Sequence, residues 1–302
     1  MKKRLLLIGG GTIATHYKAG LENSPHYQLV ALADINEHCV ARNLFAVPFF
    51  TDVSQALSVG VDVAIVSTST STHYEITREL LEAGVDVICE KPMCNSYDKI
   101  VELCALAESK NVNLGCLFHW KYADEVMYLK KHLAELGRIK QITVHVCDDY
   151  AATPDGSISA DRRGLCGAWL DSGINILSYI GELIDLNSYK LQLKQSDLDI
   201  TTGQEKYARR IYRLGDTVAD IIVDWRTESR AKVSEITCER GLVTINHSRQ
   251  TIAINGEIVF QRPLEDRLTG HYENAFAQFT LNKEQLQNTL LLHKILFAGG
   301  EQ

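Results

Sequence analysis

Short apolar segments alternate with segments of helical periodicity over the first 118 residues of the chain. The helical periodicity is clearest in Thr72–Ala83, and Gly84 follows it as a C-cap. Five apolar segments are predicted to be strands: Arg4–Ile8, Gln28–Ala33, Val63–Ser67, Asp86–Cys89 and Asn113–Leu117. Strands that alternate with helices pair in parallel, so this half is predicted to be an α/β domain with a doubly wound parallel sheet.

The pattern changes after residue 119, where most of the strand-like segments follow one another without helices between them. Four helices are predicted, at Asp124–Leu136, Ala168–Ile180, Tyr272–Leu281 and Glu284–Leu296. Seven strands are predicted, at Ile139–Cys147, Tyr189–Leu198, Arg209–Leu214, Thr217–Trp225, Lys232–Thr237, Leu242–Asn246 and Thr251–Ile254. Residues 119–302 are therefore predicted to be a C-terminal α+β domain with an open, mostly antiparallel sheet, following a first domain of residues 1–118.

Composition and charge narrow the class of protein. Of the 302 residues, 45% are hydrophobic and 23% are charged, which is typical of a globular domain. The net charge of −7 argues against nucleic acid as a partner, and no apolar run is long enough to cross a membrane. The eight cysteines form no Cys-x-x-Cys pair and the ten histidines show no metal-ligand spacing. We expect a reduced, cytoplasmic protein without a metal or a membrane partner.

A glycine-rich segment follows the first predicted strand. The sequence Gly9-Gly10-Gly11-Thr12-Ile13-Ala14 fits the pattern G-x-G-x-x-[GA] and opens a predicted helix. In such a turn Gly9 permits the tight bend, Gly11 lets a pyrophosphate approach the backbone, and Ala14 lets helix and strand pack closely. The free N–H groups at the helix start favour phosphate. The segment predicts a Rossmann dinucleotide site.

Asp34 ends the second strand, 20 residues beyond Ala14. A carboxylate at this position accepts hydrogen bonds from the adenosine ribose hydroxyls, although it could also cap a helix beginning near Asn36. Residues 35–38 include no lysine or arginine. A 2′-phosphate beside Asp34 would meet a like charge, at a cost of roughly 1–4 kcal/mol. The sequence therefore predicts NAD in preference to NADP.

Glu90-Lys91-Pro92 ends the strand Asp86–Cys89, at the sheet edge where α/β proteins bind ligands. Pro92 restricts Lys91 to an extended conformation and can adopt the cis form. With this motif the chain closely resembles the glucose–fructose oxidoreductase and myo-inositol dehydrogenase family, known as Gfo/Idh/MocA. The matching segments are Gly9–Ala14, Asp34, Ser67-Thr68, His73, Ala83-Gly84, Val87, Glu90-Lys91-Pro92 and Asp171-x-Gly173. The resemblance implies that Lys91 is catalytic, and that Ser67, Thr68, His73, Glu90 and Lys91 belong to the cofactor site.

The second-domain motif narrows the resemblance. Most family members carry Asp-x-Gly-x-His, whereas this chain has Asp171-Ser-Gly173-Ile-Asn175. That sequence is similar to the branch of aldose 1-dehydrogenases, which includes L-arabinose and D-galactose 1-dehydrogenases and oxidises the anomeric C1–OH to a lactone. Asp171 and Asn175 lie four residues apart and share one helix face. Asn175 is expected to orient the hydroxyl, while Lys91 and Asp171 act as one coupled acid–base unit.

Further residues match that branch less specifically. His119 follows the last strand of the first domain, where similar sugar dehydrogenases place a substrate-contacting histidine; a buried structural histidine is the alternative. Asp148 and Asp149 end the strand Ile139–Cys147, where the branch has an acidic sugar-binding residue. We favour Asp149 from its spacing to Asp171, with a solvated loop as the alternative. Arginines in the following loop would suit an acidic or larger sugar.

Three functions are consistent with the sequence. The first is an NAD-dependent oxidoreductase that oxidises the C1–OH of an aldose. The second is an NAD-dependent dehydrogenase acting on a cyclitol, a diol or a ring hydroxyl of a sugar derivative. The third is a non-catalytic regulator that binds NAD and a sugar, because this fold also serves in transcription control. The resemblance implies a homodimer or homotetramer that associates through the open sheet face, and a sugar or polyol as the small-molecule partner.

Overall fold

The structure is a computed structural model that describes residues 1–262 and 266–299. Its strands form two sheets. The first sheet contains β1 Lys3–Ile8, β2 Tyr27–Ala33, β3 Phe49–Phe50, β4 Val63–Val66, β5 Asp86–Glu90 and β6 Leu114–Leu117. The second contains β7 Ile139–Cys147, β8 Tyr189–Leu198, β9 Glu205–Leu214, β10 Thr217–Asp224, β11 Lys232–Cys238, β12 Gly241–Asn246, β13 Thr251–Ile254 and β14 Glu257–Gln261.

The α-helices vary widely in length. They are α1 Thr12–Thr15, α2 Lys18–Asn23, α3 Val53–Leu57, α4 Thr70–Glu82, α5 Tyr97–Lys110, α6 Asp124–Leu136, α7 Ile174–Leu183, α8 Arg267–Gln278 and α9 Lys283–Leu296. A π-helical turn, Trp169–Gly173, leads into α7. Within the described residues, none of these helices combines the length and the apolar character needed to cross a membrane.

The first sheet has the strand order β3-β2-β1-β4-β5-β6, and every neighbouring pair is parallel. The order reverses between β1 and β4, and at such a reversal the carboxyl ends of the strands border a ligand crevice. Leu5–Leu7 of β1 are fully buried, as a strand covered by helices on both faces requires. The predicted Rossmann sheet is confirmed, and β3 is an additional two-residue edge strand.

The second sheet has the order β14-β13-β12-β11-β7-β10-β9-β8. Its neighbouring pairs are antiparallel except β7 and β10, which run parallel. Side chains of β10 alternate, with Ala219, Ile221 and Val223 fully buried and the intervening residues half-buried. This period of two shows that only one face of the strand is fully covered. The predicted open, mostly antiparallel sheet is confirmed.

Contacts divide the chain into two compact units that differ from two consecutive halves. Unit 1 contains Met1–His119 and Leu268–His293, and unit 2 contains Trp120–Arg267 and the residues from Lys294 onward. The predicted boundary near residue 118 is where the chain first changes unit, but most of the last two helices lies in unit 1. The reason is apolar burial: Tyr272 and Phe276 of α8 pack edge-on against the ring of Tyr17, with ring centroids 4.8 and 5.3 Å away.

The helix that the glycine segment opens is short. It ends at Thr15, and a separate helix begins at Lys18. Thr12, Ile13 and Thr15 are β-branched, which lowers helix propensity, and the Thr15 hydroxyl donates back to the Thr12 carbonyl. The break places the Tyr17 side chain in the interior of unit 1, where it is fully buried.

Candidate functional site

The glycine turn after β1 has the backbone geometry that the motif predicts. Gly9 has a φ of +97°, and a Cβ atom built there would lie 2.7 Å from backbone atoms of Ser67 and Thr68. At Gly11 a Cβ would meet nothing within 4 Å. Gly9 is therefore required by the fold itself, whereas Gly11 leaves open space beside the backbone. That space suits the close approach of a pyrophosphate.

Asp34 holds the glycine turn as well as facing the site. Its Oδ2 accepts the Gly10 N–H at 2.6 Å, and its Oδ1 accepts the Asn36 N–H at 2.8 Å. The carboxylate is half-buried and borders the cavity described next. Asp34 thus organises the turn that follows, where the structure has a turn and not a helix at Asn36, and its carboxylate borders the cavity.

A cavity of about 480 Å³ opens above the carboxyl ends of β1, β2 and β4. Seven predicted cofactor residues line it: Gly9, Gly11, Thr12, Ile13, Asp34, Ser67 and Thr68. Sequence reasoning missed other lining residues, including Ile35, Thr51, Val53, Ser69, Thr72 and Ile76. The spacing of Thr72 and Ile76 on one face of α4 was an available signal. Backbone amides, a carboxylate and aliphatic walls fit an adenosine diphosphate moiety.

Two other predicted cofactor residues, Ala14 and His73, are buried and do not line the cavity. Ala14 is fully buried under the turn. His73, 1% exposed, brings its Nδ1 to 3.0 Å from the Pro92 carbonyl and its Nε2 to 3.1 Å from the Thr68 carbonyl. Burial lowers the pKa of His73, while the two carbonyls and the charge of Glu90 act in the opposite direction. His73 thus ties a cavity-lining loop to the turn that carries Lys91.

Glu90 ends β5 and Lys91 follows it, and the Lys91–Pro92 bond is cis. The Glu90 carboxylate is directed into unit 1, where it accepts hydrogen bonds from the hydroxyls of Tyr17 and Tyr272 and from the Lys91 N–H. Among the described residues, Glu90 is not part of the cavity lining. Glu90 is thus a buried neighbour of Lys91, and neither of these two described residues lines the cavity. Neither tyrosine was identified from the sequence.

His119 follows β6 and is 4% exposed. Its Nδ1 lies 3.1 Å from Nδ1 of His271 in α8, a residue that the sequence did not single out. The ring of Tyr272 lies 5.2 Å from the ring of His119. Two ring nitrogens at this distance share one hydrogen bond, so the tautomers of His119 and His271 are linked. The structure thus gives His119 a defined orientation in unit 1.

In unit 2, Asp171 lies within the π-helical turn and Asn175 in the first turn of α7. A Cβ at Gly173 would lie 2.7 Å from the Trp169 ring, so the motif glycine lets that indole pack against the turn. Asn175 is 5% exposed, and its Nδ2 donates to the Asp171 carbonyl at 3.4 Å. Its buried Oδ1 has no hydrogen-bond partner within the described part of the chain. Isolated π turns are frequent at functional sites.

The two aspartates after β7 have different surroundings. Asp149 forms a bidentate pair with Arg230, at 2.7 and 3.0 Å, and these hydrogen bonds lower its pKa. Asp148 is 7% exposed and pairs with Lys232. Burial raises the pKa of Asp148, the charge of Asp171 acts in the same direction, and Lys232 opposes both. Asp148 therefore interacts electrostatically with Asp171, while Asp149 is held by Arg230.

The chain is similar in sequence to known oxidoreductases. A family model described as an oxidoreductase family with an NAD-binding Rossmann fold matches residues 3–118. Glucose-6-phosphate 3-dehydrogenase of Bacillus subtilis is 29% identical over 190 residues, which cover 61% of this chain and 54% of that protein. The matches to the first five curated relatives span between 25% and 57% of the length of those proteins.

Two solved structures share the fold over almost the whole chain. A 3-ketoreductase from Actinomadura kijaniata, in complex with TDP-benzene and NADP, superposes with a TM-score of 0.80 at 17% identity, covering 99% of this chain and 97% of that one. An inositol dehydrogenase homolog from Azotobacter vinelandii, complexed with NADH and myo-inositol, gives a TM-score of 0.73 at 17% identity, covering 99% and 89%. At these identities the likeness demonstrates a common fold.

Proposed function

We propose that this chain, whose residues 3–118 match the model of an oxidoreductase family with an NAD-binding Rossmann fold, is an NAD-dependent dehydrogenase of the Gfo/Idh/MocA type that acts on a hydroxyl group of a sugar or polyol. The proposal assigns cofactor binding to unit 1. Gly9–Ala14 would hold the pyrophosphate, and Asp34 would hold the adenosine ribose. Ser67 and Thr68 would form the loop beside them. NAD, when bound, supplies the hydride acceptor.

The observation that carries the hydroxyl substrate is the Asn175 side chain. A buried polar atom normally has a partner, and Asn175 Oδ1 has none within the described residues. A substrate hydroxyl donating to this oxygen would satisfy it, and Asn175 would thereby orient that hydroxyl. An amide does not take up a proton at neutral pH, so Asn175 is no base. We assign removal of the proton of the substrate hydroxyl to Lys91 and Asp171, acting as one coupled acid–base unit.

Asp148 adds a second carboxylate to this part of unit 2. Its ion pair with Lys232 offsets part of the desolvation that burial imposes, and the negative charge of Asp171 raises the pKa of Asp148 further. We propose Asp148 as a sugar-hydroxyl acceptor in addition to Asp149, which is held in a bidentate pair by Arg230.

The position of oxidation on the substrate has two candidates. The first is the anomeric C1–OH of an aldose, whose oxidation gives a lactone. It is favoured by the resemblance to aldose 1-dehydrogenases of the sequence Asp171-Ser-Gly173-Ile-Asn175. A ring hydroxyl is the second candidate, because the names of a relative and of a structural neighbour specify a 3-dehydrogenase and a 3-ketoreductase. A lactone hydrolyses to an aldonic acid, whereas a 3-keto sugar remains a ketone, so the product identifies the position.

The test is NAD reduction across a panel of aldoses, uronates, cyclitols and diols, followed by mass spectrometry of the product. A free acid confirms C1 oxidation, and a stable ketone supports the ring-hydroxyl alternative. Binding of a sugar together with NAD, without turnover of any panel member, would instead support the non-catalytic regulator.

Cofactor preference is the first specific prediction. We expect NAD to bind about tenfold or more tightly than NADP, because the Asp34 charge lies where the 2′-phosphate would be. Ile35 is 92% exposed and lines the cavity, so Ile35→Arg combined with Asp34→Asn should narrow this difference. Asparagine retains one oxygen for the backbone amides that Asp34 holds. Val40→Arg is the matched control, since Val40 is exposed nearby without lining the cavity. Calorimetry with both cofactors checks this, and equal wild-type affinities would contradict it.

Assembly is the second prediction. We propose a homodimer or homotetramer that associates through the less covered face of the second sheet, where Val218 and Ile222 of β10 and Ile211 of β9 are only half-buried. Apolar side chains gathered on a sheet face favour association. Light scattering at micromolar concentration should give a mass at least twice the 33.8 kDa of one chain. A monomer mass would refute this proposal.

A further inference from the structure

Three hydrogen-bond donors converge on the Glu90 carboxylate at the end of β5. The Tyr17 hydroxyl donates to Oε1 at 2.6 Å, the Tyr272 hydroxyl donates to the same oxygen at 2.7 Å, and the Lys91 N–H donates to Oε2 at 3.0 Å. Glu90 is 5% exposed, and both tyrosines are fully buried. Both carboxylate oxygens are therefore engaged by donors inside unit 1, which is the arrangement that an ionised carboxylate requires when it is buried.

The two phenols are fixed donors. Burial, followed by the charge of Glu90, holds the pKa of Tyr17 well above its usual range, so its hydroxyl stays protonated. Hydrogen bonds to an ionised acceptor are about twice as strong as neutral ones. The rings are also held by packing, with the Tyr17 and Tyr272 centroids 4.8 Å apart and Tyr17 edge-on to Phe276 at 5.3 Å. The carboxylate position is thus determined by α8 and by the break between α1 and α2.

Lys91 depends on this arrangement in two ways. Its own backbone N–H is bonded to Glu90, which fixes the start of the turn that carries its side chain. A carboxylate one residue away also favours the charged form of a lysine. Displacing Glu90 would alter both where the Lys91 side chain begins and how readily its amine releases a proton.

We propose that Tyr17 and Tyr272 are positioning residues that act on Lys91 through the Glu90 carboxylate. This inference rests on the proposed function, because it assumes that Lys91 takes part in the chemistry. It gives the Glu90 carboxylate a role in positioning Lys91. It also makes α8, from the far end of the chain, part of the machinery that sets the reactivity of Lys91.

The first experiment compares Tyr17→Phe and Tyr272→Phe with Tyr27→Phe. Tyr27 is the matched control, because it is 2% exposed in the same unit and donates to the Phe279 carbonyl at 3.1 Å without contacting Glu90. Each of the first two variants should lower kcat about tenfold, the loss associated with one charge-assisted hydrogen bond. NAD affinity should stay within about threefold. Tyr27→Phe should lower Tm comparably while retaining the wild-type kcat. An equal kcat in all four proteins would overturn the proposal.

The second experiment needs no substrate and so separates this inference from the proposed function. Competitive acetylation of the full chain across a pH series, read by mass spectrometry, gives the titration midpoint of the Lys91 amine. Glu90→Gln keeps the side-chain volume but removes the charge, so the midpoint should shift to lower pH and acetylation near neutral pH should rise about threefold or more. Tyr27→Phe should leave it unchanged. An unchanged midpoint in Glu90→Gln would overturn the link to Lys91, even if the wild type oxidises a sugar.

Discussion

Replacing Lys91 or Asp171 by alanine should lower kcat by about 10²- to 10⁴-fold, the usual contribution of general acid–base catalysis. NAD binding should stay nearly intact, because the lining of the dinucleotide cavity consists of the glycine turn, Asp34 and the segments around Thr51 and Thr68. The double variant should lose little more than the worse single one, since residues that act as one unit are not additive. Steady-state kinetics and calorimetric NAD titration provide the two measurements.

Controls for this prediction come from the same chain. Lys99→Ala removes a lysine of α5 that lies over the ring of Tyr74 in α4. This variant should leave kcat unchanged. Asn175→Ala should act mainly on KM, because Asn175 is proposed to orient the hydroxyl, and Asn175→His should retain activity by restoring the residue commoner in the family. If Lys91→Ala kept the full wild-type kcat, the assignment of the proton to the Lys91–Asp171 unit would fail.

Gly9→Ala should abolish NAD binding and destabilise the protein without any cofactor present. The added Cβ would lie 2.7 Å from the Ser67 and Thr68 backbone, and the φ of +97° is strained for alanine, so several kcal/mol is the expected order of the loss. Gly11→Ala is the matched variant, because its Cβ would enter open space. It should keep the wild-type Tm and weaken NAD binding alone. Similar Tm losses in both variants would contradict this division of roles.

Local patterns were sufficient for much of the fold. The parallel strands of the first sheet are continuous apolar segments, and the second-sheet strands alternate, so both sheets could be anticipated. β3 has only two residues and β14 is an exposed edge strand without alternation, so neither produces a recognisable signal. Helix α8 begins at Arg267, five residues before the predicted start, and passes through the buried Gly270. A glycine inside a helix reads as a boundary when its packing partners are unknown.

The same difference between local and long-range signals applies to the residues of the site. Gly9 and Asp34 belong to a short motif whose chemistry is local, so the sequence identified them. Tyr17 and Tyr272 lie 73 and 182 positions from Glu90, and only tertiary structure brings their hydroxyls to it. Asp148 and Asp149 are adjacent in the loop after β7, and their partners Lys232 and Arg230 are distant in sequence, so spacing alone did not distinguish the two carboxylates.

The return of the C-terminal helices to unit 1 has a consequence for synthesis of the chain. A ribosome releases residues 1–119 long before Leu268–His293 exist, so Tyr17, Gly20 and Glu90 emerge without the side chains of α8 that cover them. Until then the Glu90 carboxylate lacks the hydrogen bond from the Tyr272 hydroxyl, and the aromatic surface around Tyr17 stays exposed to water. Most of unit 2, Trp120–Arg267, is translated before α8 is complete. The dinucleotide unit, although its translation starts first, is therefore completed only after most of unit 2 has been synthesised.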